Sequence, residues 1–226
     1  MNSLFWKKPP LDVFILEAPA VHVWCASLDL DSSFLAASLE LLSPEEQIRA
    51  RQFYFEKDQK QFVASRGILR NLLGRYLQED PKNLKISYTP QGKPFLPDTS
   101  LFFNLSHSQN ILLIALSRKN ELGVDVESIR EKVDHLKIAK RFFTQKELRF
   151  ILKQPEDLQG QAFYEVWTSK EALLKAKGIG FFSEESRNKE EGFSVLKLPD
   201  PSPYHKAALA LAELPQKIEC YLFSSL

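Results

Sequence analysis

Glycine is scarce in this chain: eight of 226 residues, about half of the ~7% usual for globular proteins. Neither the dinucleotide pattern GxGxxG nor a Walker-type GxxxxGK followed by Ser or Thr occurs, so any phosphate handling has to work without a glycine cradle. Cysteine is nearly missing as well. Cys25 and Cys220 stand at opposite ends of the chain, which excludes a disulfide framework and a metal quartet and points to a reducing, cytoplasmic setting. Long apolar runs are also lacking. The longest, 111–116, falls far short of a membrane span, and Lys7, Lys8, Pro9 and Pro10 interrupt the N-terminus before a signal-type core forms. A soluble protein with no membrane partner is expected. Net charge almost cancels, thirty Lys and Arg against 29 Asp and Glu giving +1, which argues against a whole-surface nucleic-acid binder. Charge-driven function must therefore be local. What the chain does have, 44% hydrophobic and 26% charged residues, suffices for one large or two small domains with a proper core.

The pattern predicts a strand at 21–28, then a helix opened by Ser43-Pro44-Glu45-Glu46, with Ser as cap and Pro at the first helical position. A second helix is expected over 57–76, its apolar residues Phe62, Ile68, Leu69, Leu72 and Leu73 spaced mostly by three and four. Short β pieces follow at 84–88, 102–105, 112–117 and 123–126, then helices at 133–142, 145–152 and 161–177, then strands at 193–198, 207–212 and 218–223. The fold class is α+β. The element order recurs: Ser43-Pro44-Glu45-Glu46 matches Thr144-Gln145-Lys146-Glu147, and 65–69 matches 169–173, at offsets of 101 and 104 residues. Two similar halves, 1–118 and 119–226, related by a pseudo-twofold with the site in the cleft between them, are the expectation. The segment 183–192, with six charged residues in ten, reads as a solvated loop.

Four groups could carry chemistry. In Gly123-Val124-Asp125-Val126-Glu127 the carboxylates are two apart, so on a strand they share one face while the valines pack the other. In Trp167-Thr168-Ser169-Lys170-Glu171-Ala172-Leu173-Leu174-Lys175, Glu171 and Lys175 share a helix face at i,i+4. Upstream, Gly92-Lys93-Pro94 projects a lysine from a turn, and Phe103-Asn104-Leu105-Ser106-His107-Ser108 collects amide, hydroxyl and imidazole groups at a strand end. The stretch 49–75 holds seven basic residues against two acidic. Each group alone fits an ordinary structural role: a strand end, a surface ion pair, a structural histidine, a solvated helix face.

Together and in this order, GKP, FNLSHS, GVDVE and WTSKEALLKAKG resemble the 4'-phosphopantetheinyl transferases, in the double-length form that activates peptide synthetase, polyketide synthase or fatty-acid carrier proteins. The resemblance covers about 42–180. It implies transfer of phosphopantetheine from coenzyme A to a serine of an apo carrier protein, with release of adenosine 3',5'-bisphosphate, by one chain whose halves make a pseudo-dimer and which acts as a monomer. In that light Asp125, Glu127 and Glu171 form an all-oxygen ligand set suited to Mg2+, and Glu127 or Glu171 is the general base, with Glu127 preferred. Lys175 would assist the departing phosphate, with Lys170 close by. Arg49, Arg66, Lys93, Asn104, Ser106, His107, Lys170 and Lys175 would bind coenzyme A, Arg66 and Lys170 being taken as equivalents in the two halves. Related sequences often carry a basic residue just after Ser-Pro-Glu; this chain has Glu46, leaving Arg49 to meet the phosphate.

Carrier proteins are acidic around the modified serine, and 130–153 holds eight Lys or Arg against three acids. Lys137, Lys140 and Arg141, at i, i+3 and i+4 beside Phe142, are the expected docking face. Two other readings compete. A non-catalytic module that binds coenzyme A or carrier protein would lack part of the acid and lysine set, all of which is present. A nucleic-acid binder on the basic helix would need exposed aromatics among its basic residues, whereas Phe62 and its neighbours have the spacing of a buried face. In this scheme Gly92, Gly123, Gly178 and Gly180 serve as punctuation at turns and element ends.

Overall fold

The structure, a computed structural model, describes residues 4–11, 14–119, 121–179 and 192–224. Gly180 and all but the last residue of the expected loop at 183–192 lie outside them.

Side chains along β2 (Ala20–Ser27) alternate between two apolar environments, Val21, Val23 and Cys25 in one and Trp24 and Ala26 in the other. That is the period-2 pattern of a strand buried on both faces. β6 (Ile111–Ser117) repeats it, with Leu113 and Ala115 on the first side and Leu112, Ile114 and Leu116 on the second. Both strands lie inside a five-stranded sheet of order β1-β10-β2-β6-β5, in which β1 is Trp6–Lys7, β5 is Phe102–Ser108 and β10 is Lys217–Leu222. β2 and β5 run antiparallel to β6, and β10 runs parallel to β2. A second, antiparallel sheet has the order β7-β9-β8, formed by Leu122–Ser128, His205–Leu211 and Ser194–Lys197. A two-residue ribbon, β3 (Ser87–Tyr88) with β4 (Pro94–Phe95), carries the Gly92-Lys93 turn.

Six helices complete the described chain: α1 (Ser32–Leu41), α2 (Pro44–Arg51), α3 (Glu56–Leu77), α4 (His135–Phe142), α5 (Gln145–Leu152) and α6 (Glu156–Lys177). α3 covers one face of the large sheet through Ile68, Leu69, Leu72, Leu73 and Tyr76, packed with Trp24, Leu112 and Ile114. The opposite face meets Leu122, Val124, Val126, Leu209 and Leu211 of the small sheet. α6 lies on the outer side of the small sheet, where Ala172 and Ala176 meet Ala208 and Ala210. The result is an α+β fold in four layers: helix, sheet, sheet, helix. None of the described helices is long and apolar enough to cross a membrane, and both cysteines are buried and free.

The repeat is clear. α3 and α6 each have 22 residues and begin at Glu56 and Glu156. The short helix before each is opened by a full capping box, Ser43 with Glu46 and Thr144 with Glu147. The capping glutamates then bind matching cations: Arg70 reaches Glu46 at 2.7 Å and Lys170 reaches Glu147 at 3.1 Å. The equivalent of Lys170 is thus Arg70, not Arg66, a correction that follows from helix register. β1, α1 and β4 form where the sequence pattern predicts no element, and of the strand expected at 84–88 only Ser87–Tyr88 forms. Leu84 instead offers its carbonyl, with that of Pro81, to the buried Arg70 guanidinium. The C-terminal strand β10 joins the sheet of the first half.

Candidate active site

Gly123 allows β7 to touch α6. A Cβ there would stand 2.1 Å from the Ala172 carbonyl oxygen and 2.3 Å from the Ala176 nitrogen, so only glycine permits the approach. It is a close-contact residue inside the strand, more than punctuation. With Val124 and Val126 in the core between the sheets, Asp125 and Glu127 share the other face, the one α6 covers. Asp125 is 3% exposed. Its Oδ1 accepts from Lys175 Nζ at 2.6 Å and from the Ser106 hydroxyl at 2.8 Å, and Lys175 Nζ also lies 2.8 Å from Ser106 Oγ. Asp125 Oδ2 is buried with no hydrogen-bond partner among the described residues.

Three carboxylates bear on one another here. Burial raises the Asp125 pKa against the pull of Lys175 and Ser106. Burial and the Asp125 charge raise that of Glu127. Burial, then Asp125, push Glu171 up to about 7, although Lys175 opposes the shift. Buried like charges hold protons unless a cation joins them.

β5 approaches β7 without entering its ladder. Its side chains at alternate positions bridge the gap: Asn104 Oδ1 accepts the Val124 N–H at 2.9 Å, Ser106 meets Asp125, and the Ser108 hydroxyl donates to Glu127 Oε2 at 2.8 Å. Asn104, Ser106 and Ser108 are all buried, so this polar seam ties the first half to the carboxylate strand. Asn104 acts on backbone there. Its period of two is the only sequence signal for the seam, and Ser108 was not singled out.

Arg66 is 8% exposed, sits 5.4 Å from the Phe62 ring and 5.7 Å from the Tyr88 ring, and has its Nη1 buried without a partner among the described residues. Arg49 lies over the same Phe62 ring, 5.5 Å from its centroid. His107 is partly exposed, and its pKa is lowered by lost solvation and then by the charges of Lys175 and Arg66. Lys93 bridges the halves: its Nζ donates to the Ala176 carbonyl at 3.0 Å, at the C-terminal end of α6, where the helix dipole favours a cation. It lines, with Phe95, Phe102, Glu121 and Gly178, a cavity of about 390 Å3.

Of the expected residues, Asp125, Glu127, Glu171, Lys175 and Ser106 therefore gather at one place, with Arg66 and His107 beside it. Lys170 is engaged by Glu147, one helix away. No group of three or more His, Cys, Asp or Glu stands in metal-holding geometry among the described residues; Lys175 occupies Asp125 Oδ1. On α4, Lys137, Lys140 and Arg141 are exposed, and Arg141 lies 5.0 Å from the Phe142 ring.

Comparison with known proteins identifies the family. Residues 121–219 match the family model of the 4'-phosphopantetheinyl transferase superfamily, and residues 30–119 match that of the 4'-phosphopantetheinyl transferase N-terminal domain. The chain is 40% identical to 4'-phosphopantetheinyl transferase HetI of a Nostoc species over 179 residues, 77% of this chain and 75% of HetI. It is 31% identical to 4'-phosphopantetheinyl transferase Sfp of Bacillus subtilis over 167 residues, 72% of this chain and 73% of Sfp. With both halves matched by family models of one superfamily and 40% identity to a relative over 77% of its length, this chain belongs to the 4'-phosphopantetheinyl transferase superfamily and is an enzyme of that class.

Proposed function

We propose that this transferase moves the 4'-phosphopantetheine of coenzyme A to a serine hydroxyl of an apo carrier protein and releases adenosine 3',5'-bisphosphate, acting as a monomer. The serine oxygen forms a bond to the phosphorus that carries pantetheine, and the bond from that phosphorus to the bridging oxygen breaks. The carrying observation is the bonding of half-buried Lys175 to buried Asp125 and Ser106 beside Glu127 and Glu171. Glu127 takes the serine proton as general base, Glu171 being the other acid within the cluster. Lys175 offsets charge on the departing phosphate. Arg49, Arg66, Lys93, Ser106 and His107 bind the coenzyme A phosphates and adenosine. Arg66 supports this through its buried Nη1, which has no partner among the described residues and is a strong donor for an anion.

Mg2+ fits the donor set. Asp125, Glu127 and Glu171 offer hard oxygens, Asp125 Oδ2 has no partner among the described residues, and a dication would relieve the repulsion that adds to burial in raising the pKa values of Glu127 and Glu171. When bound it would neutralise charge on the pyrophosphate.

The test is incubation with coenzyme A, Mg2+ and an apo carrier protein, followed by intact mass. The expected result is a gain of one phosphopantetheine, lost in Asp125→Ala and on chelation. No gain on any of several carrier types, or full activity of Asp125→Ala, would overturn the proposal.

A further inference from the structure

β5 and β7 present two matched pairs, Ser106 to Asp125 and Ser108 to Glu127, each serine nineteen residues before its carboxylate. Ser106 also touches Lys175; the partners of Ser108 are different. Its hydroxyl donates to Glu127 Oε2 at 2.8 Å, accepts the Ser128 backbone N–H at 3.0 Å and lies 3.4 Å from the Ser128 hydroxyl. A serine hydroxyl has one proton and two lone pairs. The amide can only donate, so it takes a lone pair. In the ionised form that a general base needs, Glu127 can only accept, so the single proton points at its Oε2. Ser108 is 5% exposed and Ser128 is 1% exposed, so bulk water does not compete for these bonds.

We infer that Ser108 is a positioning residue for the reaction: anchored on the Ser128 amide, it holds Glu127 by Oε2 and leaves Oε1 as the oxygen able to take the serine proton or meet a cation. The first half of the chain thereby orients a carboxylate of the second. The role rests on the reading of Glu127 given above. Partners of this kind act through the group they hold, and their loss typically lowers activity by about 10- to 100-fold.

Four variants and one structure decide the matter. Ser108→Ala should lower kcat by about 10- to 100-fold with the KM for coenzyme A and for carrier unchanged, since the hydroxyl is buried and already engaged by Glu127 and Ser128. Ser108→Cys, similar in volume but a weak donor, should resemble Ala, and Ser108→Thr should recover activity. In a Glu127→Gln background, Ser108→Ala should add little, because residues acting as one unit are not additive. A kcat unchanged in Ser108→Ala, a fully active Cys variant or an additive double variant would each overturn the inference. Thermal unfolding of every variant separates lost positioning from lost folding. Independently of turnover, a crystal structure of Ser108→Ala should show the Glu127 carboxylate moved from its place; a carboxylate found unmoved would overturn the inference even if wild-type protein proved unable to modify any carrier, the separate outcome that would sink the proposed function.

Discussion

Burial and the charge of Asp125 push the Glu171 carboxyl from its ordinary 4.5 up to about 7, and that shift has a consequence for stability. A group that binds its proton more tightly in the fold than in the unfolded chain makes the fold less stable as pH rises, here between 4.5 and about 7. Glu171→Gln removes the charge. In metal-free protein at pH 8 the variant should unfold at a higher temperature than wild type, by an amount equal to about 1–3 kcal/mol after allowance for partial exposure, and near pH 4 the two should coincide. Calorimetry in EDTA checks this, and a variant no more stable at pH 8 would count against mutual repulsion in the cluster. Mg2+ should narrow the difference by stabilising wild type. The acids of the site were legible because four motifs in order resemble one family; their spacing, two apart on a strand or four from a lysine on a helix, fixed only which face each shares. Lys170 was not. Its partner Glu147 lies on another helix, and a charge pattern along one helix does not show which neighbour will cross it. Ser108 was hidden for a related reason, since its function lies in a bond between two sheets.

The contact between β7 and α6 sets the whole geometry of the cluster, because it brings Lys175 against Asp125. Gly123→Ala would force a methyl group into backbone atoms at 2.1 and 2.3 Å, which have no rotamer with which to give way. α6 should be displaced, at a cost of about 1–3 kcal/mol or more, and activity should fall far more than stability, because the Lys175–Asp125 pair at 2.6 Å is misaligned by the same shift. Transfer assays on material shown folded by circular dichroism check this; normal activity would mean the contact is not needed. α4 offers a different prediction. None of its exposed Lys137, Lys140 and Arg141 is among the charges that shift Asp125, Glu127 or Glu171, so reversing their charges should raise the KM for an acidic carrier and leave coenzyme A binding as it was. Unchanged carrier kinetics would remove α4 from the docking surface. Both helices could be read in sequence, α4 from its basic face and α6 from its apolar spacing. α1 could not: Asp31 caps it, but its serine-rich face buries only Ser38 fully and lacks a clear 3.6-residue apolar stripe.

At the scale of the molecule, the duplication visible as two weak sequence matches becomes a sandwich in which neither half closes by itself. The large sheet is apolar on both faces, one covered by α3 of its own half and the other by the small sheet. Its strand β2 lies between β6 and β10, and β10 comes from the far end of the chain. Cys220 of β10 enters the core between the sheets while Tyr221 enters the core under α3, and Lys7 of β1 is fixed to Glu219 at 3.0 Å. A sequence pattern shows that 218–223 is a strand but carries no information about which sheet receives it, because parallel pairing of distant strands depends on tertiary closure. A polypeptide of residues 1–118 would therefore expose the β2 edge and the apolar face that Leu122, Val124 and Leu209 cover, two features that drive association. Expressed alone it should be insoluble or lack a cooperative unfolding transition. Co-expressed with 119–226, which restores β10 and the small sheet, it should be recovered as a soluble complex with transferase activity. Isolation of 1–118 as a stable monomer with its own sharp transition would show instead that the first half carries a complete core, and that β10 adds to the fold without being required by it.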